Sequence, residues 1–493
     1  MYTFSNKLRT TALILMILGL VGIAYGFLSA PKTIEEAEKI VAASSHHEEG
    51  TSEGEGKETH ALVPPAENKE VVLKDSVVTQ KDTLTSKIDS SKAAVVLVSE
   101  KTKEVSKKVV VDEEKEKKEH AEHVFHQLQN KPWAALYVAC IFFMLVTLGS
   151  LAFYAIQQVA QAGWSPVLFR VMQGITAYLP VGSVIFFIIL IVTGTHMFES
   201  NHLFAWMEKG ITVKGNENYD EMIAGKSGYL NFAFWISRAA IFLLGWNLYR
   251  YFSRKNCLSQ DEAADNTFYK KNFKMSAAFL VFFIVSESIM SWDWLMSFDP
   301  HWFSTLFGWY VFASFFVSGI TTISMVTLYL KSKGYLENVN SSHIHDLSKF
   351  MFGISVFWTY LWFSQFMLIW YANIPEEVTY FKVRIEQYNL PFFGAVVMNF
   401  IFPILVLINT DFKRIAPIIV GAGVVILCGH YIDFFNMVMP ATVGEHWFIG
   451  VSEIASVLFF LGLFIFVVFT ALTKAPLTPK RNPFIEESKH FHY

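Results

Sequence analysis

One feature recurs ten times in this sequence: a stretch of about 20 apolar residues, which as helix is long enough to cross a hydrocarbon core about 30 Å thick. The windows lie near 8–28, 133–157, 177–196, 229–251, 274–292, 306–330, 349–371, 391–409, 415–435 and 447–470. Lipid offers no partner to a backbone N–H or C=O, so segments of this kind fold as helices that satisfy those groups internally. The expectation is an all-α integral membrane protein of about ten transmembrane helices. Charged residues make up only 17% of the chain, whereas a soluble domain carries roughly 25%. The net charge of -3 provides no basic stripe for a nucleic acid. Cys140, Cys257 and Cys428 are scattered, with no CxxC or CxxCH. That spacing excludes a covalent c-type haem, a cysteine-ligated iron–sulfur cluster and a disulfide framework within this chain.

The first window follows Lys7 and Arg9 and has small residues near its end, as a signal peptide does. Its apolar stretch from Leu13 to Leu28 is long for a cleaved segment, which favours a retained helix. The short loops on one side would collect most of the Lys and Arg, and those on the other only Lys209, Lys214, Lys226, Lys382 and Arg384. This asymmetry places both termini on the inner side of the membrane and residues 31–132 on its outer face. That insert contains runs such as HHEEGTSEGEGKE and DEEKEKKEHAEH. It reads either as a solvated linker or as a docking segment with local helix near 112–129.

An internal repeat organises the rest. Asp293 is followed seven residues later by Pro300 and then by His301-Trp302-Phe303; Asp433 is followed seven residues later by Pro440 and then by His446-Trp447-Phe448. Upstream, YLNFAFW at 229–235 and YNLPFF at 388–393 are related. These markers lie four helices apart and share a direction, which implies parallel repeats. The expected division is an N-terminal helix in 1–30, the insert 31–132, four-helix bundles in 133–300 (helices 2–5) and 301–440 (helices 6–9), and a last helix with its tail in 441–493. Parallel repeats, and the lack of broken helices with paired sodium ligands, disfavour an autonomous transporter.

Polar residues at membrane depth are expensive and mark sites or pathways. Arg238 is expected about nine residues into the fourth helix, either in a pathway or in a structural ion pair with an acid such as Glu287. Glu287 and Asp293 lie one and a half turns apart in the fifth helix. His430 and Asp433, at i and i+3, share a face of the ninth. Glu453 is expected two turns into the tenth, and His196 and Glu199 at the end of the third. Asp293, Glu199 and Asp433 also fit interfacial positions in water. A buried carboxyl group beside a histidine can exchange protons with a quinol. Trp292, Trp294, Trp302, Trp309, Tyr431 and Trp447 would suit a flat quinone ring, or an interfacial aromatic belt. A haem on His430 needs a second deep histidine, for which His196 is the sole candidate, so no haem is expected.

The segment GYLNFAFWISRAAIFLLGW (228–246) resembles the Tyr-Leu-Asn, aromatic, Arg signature of NrfD-like, or polysulfide-reductase-type, membrane subunits. ESIMSWDWLMSFDPHWFSTLFGWY (287–310) is similar to the signature of the alternative complex III branch, in its second, ActF-type subunit. The resemblance covers roughly 130–470. It implies a subunit of a quinol:cytochrome c oxidoreductase with two four-helix bundles and no redox metal of its own. It also implies partners: a paralogous quinol-oxidising membrane subunit, a periplasmic iron–sulfur subunit, and multihaem and monohaem cytochromes c. Quinone or menaquinone is the ligand expected, and proton conduction or scaffolding the role. Val396 stands where the second repeat would need the counterpart of Arg238, which departs from a duplicated site.

Overall fold

The computed structural model describes residues 2–49 and 91–492, with side chains described for 2–42, 117–118 and 120–492. Residues 50–90 of the expected insert therefore lie outside the described residues. The chain forms two units, Pro31–Phe125 by itself and Met1–Ala30 together with His126–Tyr493. The first contains α2 (Ile34–Glu49) and the beginning of α3 (Ser91–Val159); the stretch 112–129 is helical within α3 and crosses the boundary between the units at Phe125.

The larger unit is a helical body. Its elements in chain order are α1 (Asn6–Leu28), the rest of α3, α4 (Phe169–Ile175), α5 (Leu179–Gly194), α6 (Glu221–Lys226), α7 (Phe232–Gln260) and α8 (Thr267–Trp294). There follow α9 (Phe307–Ser332), α10 (Ser341–Ala372), α11 (Pro375–Glu386), α12 (Asn389–Val396), α13 (Phe402–Leu407), α14 (Ala416–Thr442), α15 (Val451–Leu472) and α16 (Ile485–Lys489). Ten helical stretches among the described residues are long and apolar enough to cross a membrane, and the protein is an all-α, multi-pass membrane protein.

Burial sorts these spans. The most apolar window of α3 is 94% buried and that of α9 is 89%, against 17% for α1. Helices α3 and α9 are therefore central, and the others expose apolar faces suited to lipid. The two central helices approach each other glycine against glycine: a Cβ on Gly149 would meet Phe315 O at 2.4 Å, and one on Gly319 would meet Ser150 N at 2.6 Å. Ser150 Oγ donates to Gly319 O at 3.2 Å. In lipid, such close backbone approach replaces the hydrophobic drive as the source of helix association.

Helix α1 packs along α15 by the same device. Gly19, Gly22 and Gly26 share one face of α1 and abut Phe459, Ala455 and Ser452. A Cβ on Gly19 would lie 2.4 Å from Phe459 N, a backbone atom that cannot swing aside. Gly19→Val is expected to separate these helices at a cost of about 1–3 kcal/mol, seen as a lower melting temperature in detergent. An unchanged melting temperature would show that the pair does not depend on this contact.

Two spans depart from straight α-helix. The third is expected from residue 177 but begins at Pro166, because α4 continues the helix through the polar Arg170 and Gln173. Arg170, which the expected start at 177 would leave in a loop, is buried and ion-paired with Asp261 at 2.5 Å. The eighth span widens into π-helix over Val397–Ile401. Pro403 lacks the N–H that would bond Asn399 O, and its ring crowds that carbonyl, so the turn opens.

Candidate functional site

The first cluster grows from the start of α7. Asn231 caps the helix by accepting from Phe234 N–H at 2.9 Å, which places Arg238 seven residues in. Its guanidinium lies 4.1 Å from the Tyr229 ring centroid and 4.2 Å from that of Phe234. Arg238 Nε donates to Asp293 Oδ2 at 2.6 Å and Nη2 to Oδ1 at 2.9 Å. This is a two-pronged, charge-assisted pair, the strongest hydrogen-bonding geometry that a carboxylate and a guanidinium offer. The Asp293 carbonyl is held as well, by Trp235 Nε1 at 2.8 Å and Ser297 Oγ at 2.6 Å.

Arg238's acid is thus Asp293 and not Glu287, since α7 and α8 bring the two together at the end where α8 stops. Asp293 is fully buried, which corrects the interfacial alternative. Glu287 lies six residues before it and is also buried. Its Oε1 accepts from Ser288 Oγ at 2.9 Å, and Oε2 has no hydrogen-bond partner among the described residues. An unpartnered carboxyl oxygen at this depth is a costly feature that packing alone does not require.

The second cluster joins α9, α10 and α14. Asp433 accepts three hydrogen bonds: a short one from Tyr310 OH, one from Ser314 Oγ at 2.8 Å and one from Trp358 Nε1 at 2.9 Å. Ser314 Oγ also lies 2.9 Å from His430 Nδ1, and the Trp358 ring stands edge-on to His430 at 5.4 Å. His430 and Asp433 are both buried, so Asp433 is not an interfacial residue either. His430 Nε2 has no hydrogen-bond partner among the described residues. Asn399, in the π-helical turn, packs against the neighbouring Gly429 and has neither amide atom bonded among the described residues. Together Tyr310, Ser314, His430 and Asp433 form a chain of groups able to accept and donate protons.

Three cavities share lining residues and touch partners of both clusters. The first, about 350 Å³, is lined by Tyr229, Trp292, Met296, Ser297, Trp302 and Phe303 among others. Tyr229 is the residue under Arg238, and Ser297 bonds Asp293. The second, about 80 Å³, shares Met296, Asp299 and Trp302 with the first and also includes Tyr380, Arg384 and Met437. The third, about 10 Å³, shares Tyr380, Arg384 and Met437 with the second and ends on Tyr310, the donor to Asp433. Shared wall residues thus link the three cavities from Ser297, a partner of Asp293, to Tyr310, a partner of Asp433, and neither acid itself lines any of them. Arg384, buried in their walls, donates to Asn436 O at 3.1 Å and Tyr380 O at 2.8 Å, with its Cζ 3.3 Å from the Tyr380 ring centroid.

The largest cavity is framed by a clasped loop. Asp220 Oδ2 meets His301 Nε2 at 2.6 Å, Asp220 Oδ1 accepts from Ile223 N–H at 2.9 Å, and Lys226 Nζ donates to Pro300 O at 2.5 Å. The Ile223 N–H, followed by His301, holds the Asp220 carboxyl below its ordinary value. A lowered carboxyl pKa stabilises above the ordinary range and loses that contribution as pH falls through the lowered value. Protease protection of residues 209–228 is therefore expected to hold near neutrality and to fall once the pH drops below about 4. Equal protection at both would separate the clasp from Asp220.

Three expected site residues stand apart from these clusters. Glu453 is the third residue of α15, not two turns in, because the chain is still extended through Trp447 and Gly450 and the helix begins at Val451. Its Oε2 accepts from Gly450 N–H at 2.8 Å, an acid satisfying a free donor at a helix start. His196 and Glu199 lie beyond α5, which ends at Gly194. His196 turns the chain with a left-handed φ of 49°, and its Nε2 lies 2.9 Å from Met207 O. Glu199 is exposed.

Reading the sequence missed Tyr310, Ser314, Trp358, Asn399 and Arg384. The first four are unremarkable residues in apolar helices; Pro403 is a signal for the turn that carries Asn399, and Arg384 was counted as a loop cation. Among the described residues no three His, Cys, Asp or Glu side chains are grouped so as to hold a metal ion. Comparison with models of known protein families and with characterised proteins finds no match for this chain.

Proposed function

We propose that this chain is the ActF-type, NrfD-like membrane subunit of an alternative complex III, a quinol:cytochrome c oxidoreductase of a bacterial inner membrane. In this reading it carries protons between Asp293 and the Asp433–His430 cluster, with Glu287 as a further relay. Its partners are the paralogous quinol-oxidising subunit, the periplasmic iron–sulfur subunit and the cytochromes c. The observation that supports the proton route is the series of three cavities with shared lining residues, which runs from Ser297, bonded to the Asp293 carbonyl, to Tyr310, the donor to Asp433. Protons pass between groups in hydrogen-bond reach of each other or of one water, and water-sized spaces walled by Asp299, Arg384 and Tyr310 supply such steps. The largest cavity, walled by Tyr229, Trp292, Trp302 and Phe303, has the apolar aromatic lining that suits a quinone ring.

A scaffolding role is the second reading, and the closed Arg238–Asp293 pair favours it, since both charges are already satisfied. Purification through a tag on this chain in mild detergent discriminates the first reading from an unrelated membrane protein. The expected result is co-isolation of haem and iron–sulfur subunits with quinol:cytochrome c activity, and no activity from the chain alone in liposomes. A chain that isolates without redox partners would refute the assignment.

A further inference from the structure

The end of the helical body that holds the chain termini contains a second concentration of buried polar groups, away from both acid clusters. Tyr154 OH is met by Gln158 Nε2 at 3.0 Å, Gln173 Nε2 at 3.1 Å, Asn272 Nδ2 at 3.0 Å and Ser253 Oγ at 3.3 Å. All five side chains are buried within membrane-spanning helices. Gln158 Oε1 and Asn272 Oδ1 have no partner among the described residues, and both residues line a cavity of about 10 Å³ with Cys257, Gln260 and Asp261. Turning either amide over would only exchange an unpartnered oxygen for an unpartnered N–H. A space of this size holds about one water, and a polar wall is what keeps a water there.

The C-terminal tail supplies another part of the wall, through Pro479 and Asn482. Asp261 holds it: Oδ1 accepts from Lys480 N–H at 2.9 Å while Oδ2 takes Arg170 Nη2 at 2.5 Å. Further along, the fully buried Ser488 donates to Trp164 O at 2.7 Å and accepts from Val167 N–H at 3.2 Å. Its carbonyl lies 3.0 Å from His343 Nε2, and Asn340 Nδ2 donates to Phe491 O at 2.5 Å. The tail is therefore pinned to helices from both halves of the body by a few polar contacts.

We propose that the Tyr154 cluster is a water-binding site and that residues 475–492 are its lid, fastened at Asp261 and Ser488. Water satisfies the orphan amide groups, and opening the lid admits solvent to Gln158, Asn272 and Cys257. This proposal stands independently of the proton route above.

Native Cys257, buried in the cavity wall, reports on the lid. The test uses the full-length protein in membranes with the exposed Cys428 replaced (Cys428→Ser), iodoacetamide as the probe and mass spectrometry to separate Cys257 from the fully buried Cys140. Ser488→Ala and a chain ending at Lys474 are expected to speed labelling of Cys257 at least roughly tenfold, as local opening would, and to leave Cys140 unlabelled. Adding Asn272→Leu, which fills the cavity, is expected to return Cys257 to the slow rate. Unchanged Cys257 labelling, labelling that reaches Cys140 too, or insensitivity to Asn272→Leu would each overturn the proposal.

Discussion

Asp293→Ala is expected to cost about 3–5 kcal/mol of stability, the range for removing one partner of a buried ion pair. The reason lies in what remains. Arg238 loses both carboxylate oxygens and keeps only the long Tyr229 carbonyl contacts, at 3.3 Å, and two aromatic faces. Its charge is then stranded in a low-dielectric region with no acid to balance it. Removing both charges at once is expected to be milder, because apolar side chains of similar volume leave no stranded ion. Melting temperature and accumulation in membranes should therefore rank wild type above Arg238→Met with Asp293→Leu, and that pair above Asp293→Ala. Equal damage from the single and double changes would show that the pair is not what Asp293 contributes.

Asp433→Asn is expected to lower proton-coupled turnover by about two orders of magnitude, the lower range for removing a positioned proton-transfer group. Asparagine is nearly the same shape but has a single acceptor oxygen, whereas Asp433 accepts from Tyr310, Ser314 and Trp358. The amide nitrogen would face donors and cannot hold a proton in transit. Asp433→Glu keeps the carboxyl group and should recover part of the rate. The haem and iron–sulfur content of the purified complex should stay unchanged in both variants, which distinguishes a proton defect from failed assembly. Full turnover in Asp433→Asn would remove Asp433 from any proton route and leave the scaffold reading.

The architecture was largely legible because a membrane span is a matter of length and apolarity, which local sequence carries. The exceptions have local causes. Arg170 and Gln173 hid the first turns of the third span, since their partners Asp261 and Tyr154 are far away in sequence. Glu453 was misplaced because Trp447 to Ile449 are as apolar as the helix they precede. The acids themselves could be picked out, as charges are rare at such depth. Their partners could not. Nothing in a list of helical residues says that Arg238 reaches Asp293, 55 positions on, and not Glu287, 49 positions on. Ser314 and Trp358 look like ordinary residues of apolar helices until α9 and α10 bring them against α14. Arg384 read as a surface cation because its short helix, α11, carries charges on its other faces, whereas its guanidinium is buried over Tyr380.

Narrowing the space between the two acids without touching either acid probes whether protons pass between them. Met437 lines both smaller cavities, and Met437→Phe would crowd the wall they share. The measurement is proton release per electron by the purified complex in sealed vesicles, followed with a pH dye during quinol:cytochrome c turnover. Met437→Phe is expected to release fewer protons per electron than wild type while binding the same partners. An unchanged ratio in a fully assembled Met437→Phe complex would contradict it.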